Sequence, residues 1–352
     1  MAERIIVMGD GPFSLSIAAD FARNGADLAL LAPGAEKKTR TIALVGAFPG
    51  KVEIPQVAAV PKAVTDADWI IVNTTPECCE EQIGLIAPFL HAGQRIALFP
   101  SGFLALLARS SLERHGVRDV VVCEIVSSPA VCDMAGPDVL RIYKHKKELK
   151  LSAMPAVEAA SAVEALNRYL PIFAPARNSI ETSLENINAI LHPLPILLNL
   201  VEVGQRGGEF RHFLDGIDPL VSSLIEDMDR ERIRIGEAFS LRLTPTLGHL
   251  KNYYGDNDCQ TIYEYIRSPE CPYGEIRGFG IRSRYIVQDI PNLLVPASCL
   301  AKAAGVDSRI IDVCIDLGSA ATGRDFREEG LDLAKIGLGE MGVREIVEAV
   351  AS

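Results

Sequence analysis

In the first half of the chain, short runs of apolar or β-branched residues recur at 5–8, 28–31, 69–73, 96–99 and 120–123. Segments of helical character, such as 14–24 and 77–90, separate them. Strands alternating with helices predict a parallel sheet, its faces covered by the helices. Beyond about residue 178 the alternation stops. Helical patterns take over at 179–203, 218–240, 257–267, 292–304 and 308–321. The change falls at the proline-rich Pro171-Ile172-Phe173-Ala174-Pro175, and 352 residues exceed what a single core usually holds. Two domains are therefore expected, 1–177 and 178–352, the second all-helical.

No uninterrupted apolar stretch reaches the roughly 18 residues of a membrane span, and the first residues lack the core and cleavage site of a secretory signal. A cytoplasmic protein without membrane contact is expected. The eight cysteines include no Cys-x-x-Cys pair and have no histidine at metal-ligand spacing. They read as reduced, mostly buried thiols, and no metal site is expected. The net charge of −11 belongs to the second half: residues 1–177 carry 18 basic and 19 acidic groups, residues 178–352 carry 17 and 27. Without a basic stripe the chain would repel a phosphate backbone, so nucleic acid is not an expected partner.

The first apolar run ends in Gly9-Asp10-Gly11-Pro12-Phe13-Ser14 and passes directly into a helical segment. A glycine-rich turn between a first strand and a first helix is the setting of dinucleotide binding. Gly9 permits the tight turn, Gly11 lets the backbone approach a pyrophosphate, and the start of the helix, Pro12 to Ser14, offers N–H groups and a positive dipole end. Ser14 stands where a third glycine is usual. The fold class is thus an α/β Rossmann-type N-terminal domain plus an all-α C-terminal domain. Where the second strand of such a fold usually ends in an acid that grips the adenosine ribose, this chain has Ala32-Pro33-Gly34. Lys37, Lys38 and Arg40 follow, which favours NADP over NAD unless these cations are only solvated loop residues. The loops after two further strands, Thr74-Thr75-Pro76 and Pro100-Ser101-Gly102, are expected to flank the cofactor.

Another constellation lies at 185–199, where Asn188 and His192 stand one helical turn apart. Pro193 and Pro195 each remove a helical hydrogen bond, so a kink is expected there. The later stretch Arg282-Ser283-Arg284-Tyr285-Ile286-Val287-Gln288-Asp289-Ile290-Pro291 leads to Leu294-Val295-Pro296. Together with the Asn-x-x-x-His-Pro helix, it resembles the helical domain of the octopine/opine dehydrogenase family. The resemblance continues through Gly323-Arg324-Asp325-Phe326 and Lys335-Ile336-Gly337-Leu338, and upstream through Glu124 to Pro137. Where the family usually has Thr-x-Pro-aromatic, this chain reads Ser127-Ser128-Pro129-Ala130.

The resemblance implies a catalytic pair, His192 and Asp289, with Arg284, Asn188 and Glu124 toward substrate. It implies reductive condensation of an α-keto acid with the amino group of an amino acid, driven by NADPH or NADH. The site is expected in the cleft between the domains, where small-molecule sites tend to lie. Assembly stays open, with a homodimer as the candidate. Two alternatives stand beside this reading. One is a 2-hydroxy-acid or ketopantoate-type reductase, although no lysine occurs between Ala176 and Lys251, where such enzymes usually carry one. The other is a nonenzymatic NADP-binding regulator that keeps the fold.

Overall fold

The computed structural model describes residues 3–351. They fall into two compact units, one running to Thr182 and including Val350 and Ala351, the other Ser183–Ala349. Among the described residues no single helix is long and apolar enough to cross a membrane.

The first unit is built on β1 (Arg4–Met8), β2 (Asp27–Leu31), β3 (Thr39–Gly46), β4 (Gly50–Val57), β5 (Trp69–Asn73) and β6 (Arg95–Phe99). It continues with β7 (Val121–Ile125), β8 (Ala130–Gly136), β9 (Val139–His145), β10 (Leu149–Met154) and β11 (Phe173–Pro175). They form one sheet in the order β11-β10-β7-β6-β5-β1-β2-β4-β3-β9-β8. Its centre is parallel, β1 lying between β2 and β5 with Val7 opposite Leu30 on one side and Ile71 on the other. These five-residue strands are apolar because helices cover both faces; Ile5, Ile6, Val7, Ile70, Ile71 and Leu98 are fully buried.

The added strands run differently. β3 pairs antiparallel with β4, and β8 with β9, and along the middle of β3 and β4 buried residues alternate with more exposed ones. The proline-rich stretch expected to end the first domain is itself in the sheet, since Leu151 of β10 pairs with Pro175 of β11. The division between the units comes later, inside the helix Ser179–Leu184.

Three helices of the first unit frame the expected cofactor loops: α1 (Pro12–Arg23), α2 (Pro76–Ile86) and α3 (Leu104–Arg114). Both α1 and α2 begin with proline at a position that has no N–H to lose.

In the second unit the expected helix over 179–203 is broken into short pieces. Two of them are α4 (Asn188–Leu191) and α5 (Pro193–Leu197), and His192 is the joint. Pro193 cannot donate to Ala189 nor Pro195 to Leu191, so the expected kink becomes a break. The long α6 (Pro219–Ala238) and α8 (Val295–Ala304) pack together, and α9 (Arg309–Thr322) packs on both. Ahead of α8 come the four-residue α7 (Arg284–Val287) and a π-helical stretch, Ile290–Leu294. Gly318 of α9 lets that stretch come close, because a Cβ there would lie 2.5 Å from Ile290 Cδ1. Asp289 sits between α7 and the π-helical stretch, a geometry that recurs at functional sites.

Candidate active site

At the end of β1 the chain turns through Gly9 with φ of +97°, a conformation disfavoured for any residue with a Cβ. A Cβ there would also meet Ser14 Oγ at 2.8 Å, and that hydroxyl donates to the carbonyl of Met8 at 3.1 Å. Ser14 therefore ties the first turn of α1 back to β1. Gly11 differs: its φ is −72° and a Cβ on it would meet nothing within 4 Å. The space in front of Gly11 is open, and the first-turn N–H groups of α1, at Phe13 and Ser14, are beyond the reach of any carbonyl of their own helix. This cradle fits the pyrophosphate of a dinucleotide.

Beside it, a cavity of about 390 Å³ lies at the carboxyl ends of β1 and β2, lined among others by Gly9, Asp10, Ala32, Pro33, Arg40 and Gln56. Of the three expected cations, Arg40 reaches this cavity, and its Nε donates to Asp138 at 2.7 Å. Lys37 and Lys38 are exposed and do not line it; they lie in the loop ahead of β3 rather than in the strand that carries Arg40 to the cavity. Asp10 and Gln56 were not singled out by the sequence; a polar residue within a glycine turn or mid-strand carries no distinctive pattern.

Thr74 and Thr75 follow β5, with Thr74 buried, its hydroxyl donating to the Thr75 carbonyl, and Pro76 opening α2. Their position at the carboxyl edge suits a cofactor loop. In the loop after β6, the Ser101 side chain is buried, its hydroxyl donating to the carbonyls of Val126 and Thr182. Glu124, implied by the resemblance to face substrate, is also corrected. It is fully buried, one carboxylate oxygen accepting from the N–H groups of Gly102 and Leu104 and the other from the Thr182 hydroxyl. An acid on β7 thus satisfies the first N–H of α3, at Leu104, and that of Gly102 just ahead of the helix, and its charge suits the positive end of α3.

In the second unit, His192 and Asp289 meet. Nδ1 of His192 and Oδ2 of Asp289 are 2.6 Å apart, with the residues 5% and 7% exposed. A carboxylate so little hydrated needs a donor of this kind. The Tyr285 ring lies flat on the imidazole, centroids 3.6 Å apart and planes 9° from parallel, and Phe279 stacks on Tyr285 at 3.9 Å. His212 meets both edge-on, 6.0 Å from His192 and 4.6 Å from Tyr285. Burial pushes the His212 imidazole well below its ordinary pKa, aided by repulsion from His192 and Arg284, so His212 stays neutral.

Arg284 is half-buried, its guanidinium carbon 4.9 Å from the centroid of the Tyr285 ring. Among the described residues no carboxylate ion-pairs with it. Asn188 is half-buried and its side-chain amide makes no hydrogen bond among the described residues; Asp289 orients His192 instead. The expected helical spacing survives through the backbone, the His192 N–H donating to the Asn188 carbonyl at 3.0 Å.

A nucleotide cradle on a parallel sheet, and in the helical unit a buried His–Asp pair beside an arginine without an acid partner, define a nicotinamide-dependent dehydrogenase. The family described as NAD/NADP octopine/nopaline dehydrogenase, alpha-helical domain, matches residues 175–322. An opine dehydrogenase of Arthrobacter sp. (strain 1C) is 35% identical over 291 residues, which is 81% of this chain and 80% of that protein. An octopine dehydrogenase structure with NADH and L-arginine superposes with a TM-score of 0.76 at 18% identity, covering 99% of this chain and 98% of the other. A yersinopine dehydrogenase with NADP+ bound gives 0.67 at 15%, with the same coverage. The chain belongs to the octopine/opine dehydrogenase family of NAD(P)-dependent oxidoreductases.

The reassignment of Glu124 makes a prediction. Glu124→Gln keeps one acceptor oxygen for the two N–H groups but removes the charge that assists those bonds and turns an NH2 toward the Thr182 hydroxyl, which should cost about 1–3 kcal/mol of stability. Urea denaturation should show the loss, with KM for substrate nearly unchanged. An unaltered unfolding midpoint together with a raised KM would return Glu124 to the substrate site.

Proposed function

We propose that this enzyme condenses an α-keto acid with the amino group of an amino acid and reduces the resulting imine, reversibly, with His192 as the acid–base residue. The observation that carries this reading is the buried His192–Asp289 hydrogen bond, with the Arg284 guanidinium held against Tyr285 and, among the described residues, ion-paired to no carboxylate. The octopine dehydrogenase solved with pyruvate, and the one solved with L-arginine, support the two substrate classes by analogy.

Each residue has a task in that reaction. Asp289 holds the proton on Nδ1, so exchange with substrate falls to Nε2 of His192. An ammonium group is no nucleophile until it loses a proton, and Nε2 takes that proton. The amine nitrogen then bonds to the keto carbon as the C=O π bond opens, and a second amine proton passes to the oxygen to make it a hydroxyl. The imidazolium protonates that hydroxyl, which leaves as water and gives the iminium. Bound reduced nicotinamide supplies the hydride that completes the reduction. Arg284 grips the keto-acid carboxylate through paired N–H donors and fixes the carbonyl carbon for attack. Asn188, a turn before His192, offers its amide to the substrate.

Gly9, Gly11 and the start of α1 hold the pyrophosphate, with Thr74 to Pro76 flanking the cofactor. Arg40 holds the 2′-phosphate of NADPH, which we take as the preferred coenzyme. A cytoplasmic location, where keto acids and amino acids share a pool with the coenzyme, and a homodimer complete the proposal.

Oxidation of NADPH and NADH measured over keto acids crossed with amino acids tests the reaction. Turnover should require both substrates, and equal efficiency with a keto acid alone would make the protein a hydroxy-acid dehydrogenase. General acid–base catalysis is typically worth about 10² to 10⁴-fold, so His192→Asn should lower kcat by that factor while coenzyme affinity stays nearly constant. A wild-type kcat in this variant would remove His192 from the chemistry.

Arg284→Lys should raise KM for the keto acid, since a point charge cannot reproduce a bidentate grip. Initial rates at saturating amine and coenzyme give that KM directly; an unchanged value would take Arg284 out of the carboxylate site.

Coenzyme choice gives an independent test. Losing a hydrogen bond to a charged group costs about 1.5–3 kcal/mol, roughly ten- to a hundredfold, so Arg40→Ala should lower kcat/KM with NADPH by that factor and leave NADH untouched. Equal losses with both coenzymes would argue for a structural role in the Asp138 pair.

A further inference from the structure

We infer that Tyr285 is a positioning residue that sets the proton affinity of His192, its ring serving as the π face on which the imidazolium rests. The inference deepens the role proposed for His192 and rests on that assignment, but its first readout needs no turnover.

Tyr285 and Asp289 are four residues apart, so one turn of chain delivers both groups that hold the imidazole. Asp289 takes the Nδ1 edge at 2.6 Å, and Tyr285 takes a face, 3.6 Å away and within 9° of parallel. Phe279 lies against the opposite face of Tyr285, 3.9 Å away and within 3° of parallel, which keeps the plate flat on the histidine.

The need for such a face follows from burial. His192 is 5% exposed, and withdrawing an imidazolium from water disfavours its charged form. A base in that position would be too weak to remove a proton from an ammonium group. Of the charged and titratable groups near it, Asp289 favours the imidazolium, Arg284, on the Tyr285 ring, adds an opposing positive charge, and His212, which remains neutral, contributes ring edges. The negative face of an aromatic ring attracts a cation, and the attraction grows where water is excluded. Burial also raises the pKa of the Tyr285 phenol, which stays protonated, so the ring and not a phenolate does this work. The hydroxyl is accordingly dispensable for the effect and the π electrons are not.

Titration of the histidine Cε1 signals by NMR in the full-length protein tests this, the His192 signal being identified by its absence in His192→Asn. Tyr285→Phe should titrate close to wild type. Fluorinated phenylalanines at position 285, incorporated by amber suppression, keep the shape and weaken the face, so each added fluorine should lower the midpoint further. Tyr285→Leu should lower it by about 0.5 to 1.5 pH units, the range of a desolvated cation–π contact. If that variant does not fold, the isosteric fluorinated series decides alone.

The direction is fixed: a weaker face destabilises the imidazolium, so the midpoint falls. The acid limb of kcat/KM should move to lower pH by the same amount. A midpoint that ignores fluorination overturns the inference even if the enzyme turns over. A graded midpoint in a protein that reduces no keto acid and amine pair would uphold it and sink the proposed reaction instead.

Discussion

The second unit is organised around one hydrogen bond, between His192 Nδ1 and Asp289 Oδ2, which joins positions 97 residues apart in the chain. Both groups lie where water is scarce, and either without the other would leave a polar atom or a charge buried at a cost of several kcal/mol. The neighbouring geometry serves the meeting. Two prolines break the helix at His192, and a π-helical stretch begins directly after Asp289. A glycine on α9 clears room for Ile290, next to that acid.

The cofactor half of the molecule was the more legible part of the sequence. Strands buried on both faces are written as unbroken apolar runs, and β1, β2, β5, β6 and β7 match such runs closely. The six other strands were not anticipated. β3, β4, β8 and β9 have one face in solvent and mix polar with apolar residues, while the three-residue β11 hides in a stretch dominated by proline. Local pattern names a helix or a strand only where burial is uniform along one face or both.

The site was legible in its residues and less so in their directions. A motif can pair His192 with Asp289, yet it cannot tell that Glu124, in a segment of equal resemblance, points into the core to cap a helix. Nor does it separate Arg40, which reaches the cavity, from Lys37 and Lys38, which do not. Tyr285 was read only as part of the motif and given no role of its own, and His212, in a stretch of turns between two helical patterns, stood in no motif at all. The signal that could have raised Tyr285 was its spacing of four from Asp289, directly after Arg284.

The two glycines of the first turn are held by different kinds of necessity. Gly9 answers to the backbone and to Ser14, so the folded state itself enforces it. Gly11 has an ordinary φ and empty space where a side chain would go, so the polypeptide has no internal reason to keep it. A library of variants sorted by expression or thermal tolerance would therefore retain glycine at position 9 and let position 11 drift. Only sorting by coenzyme retention would hold both, and the difference between the two surviving populations would trace the outline of the bound nucleotide without a ligand ever being seen.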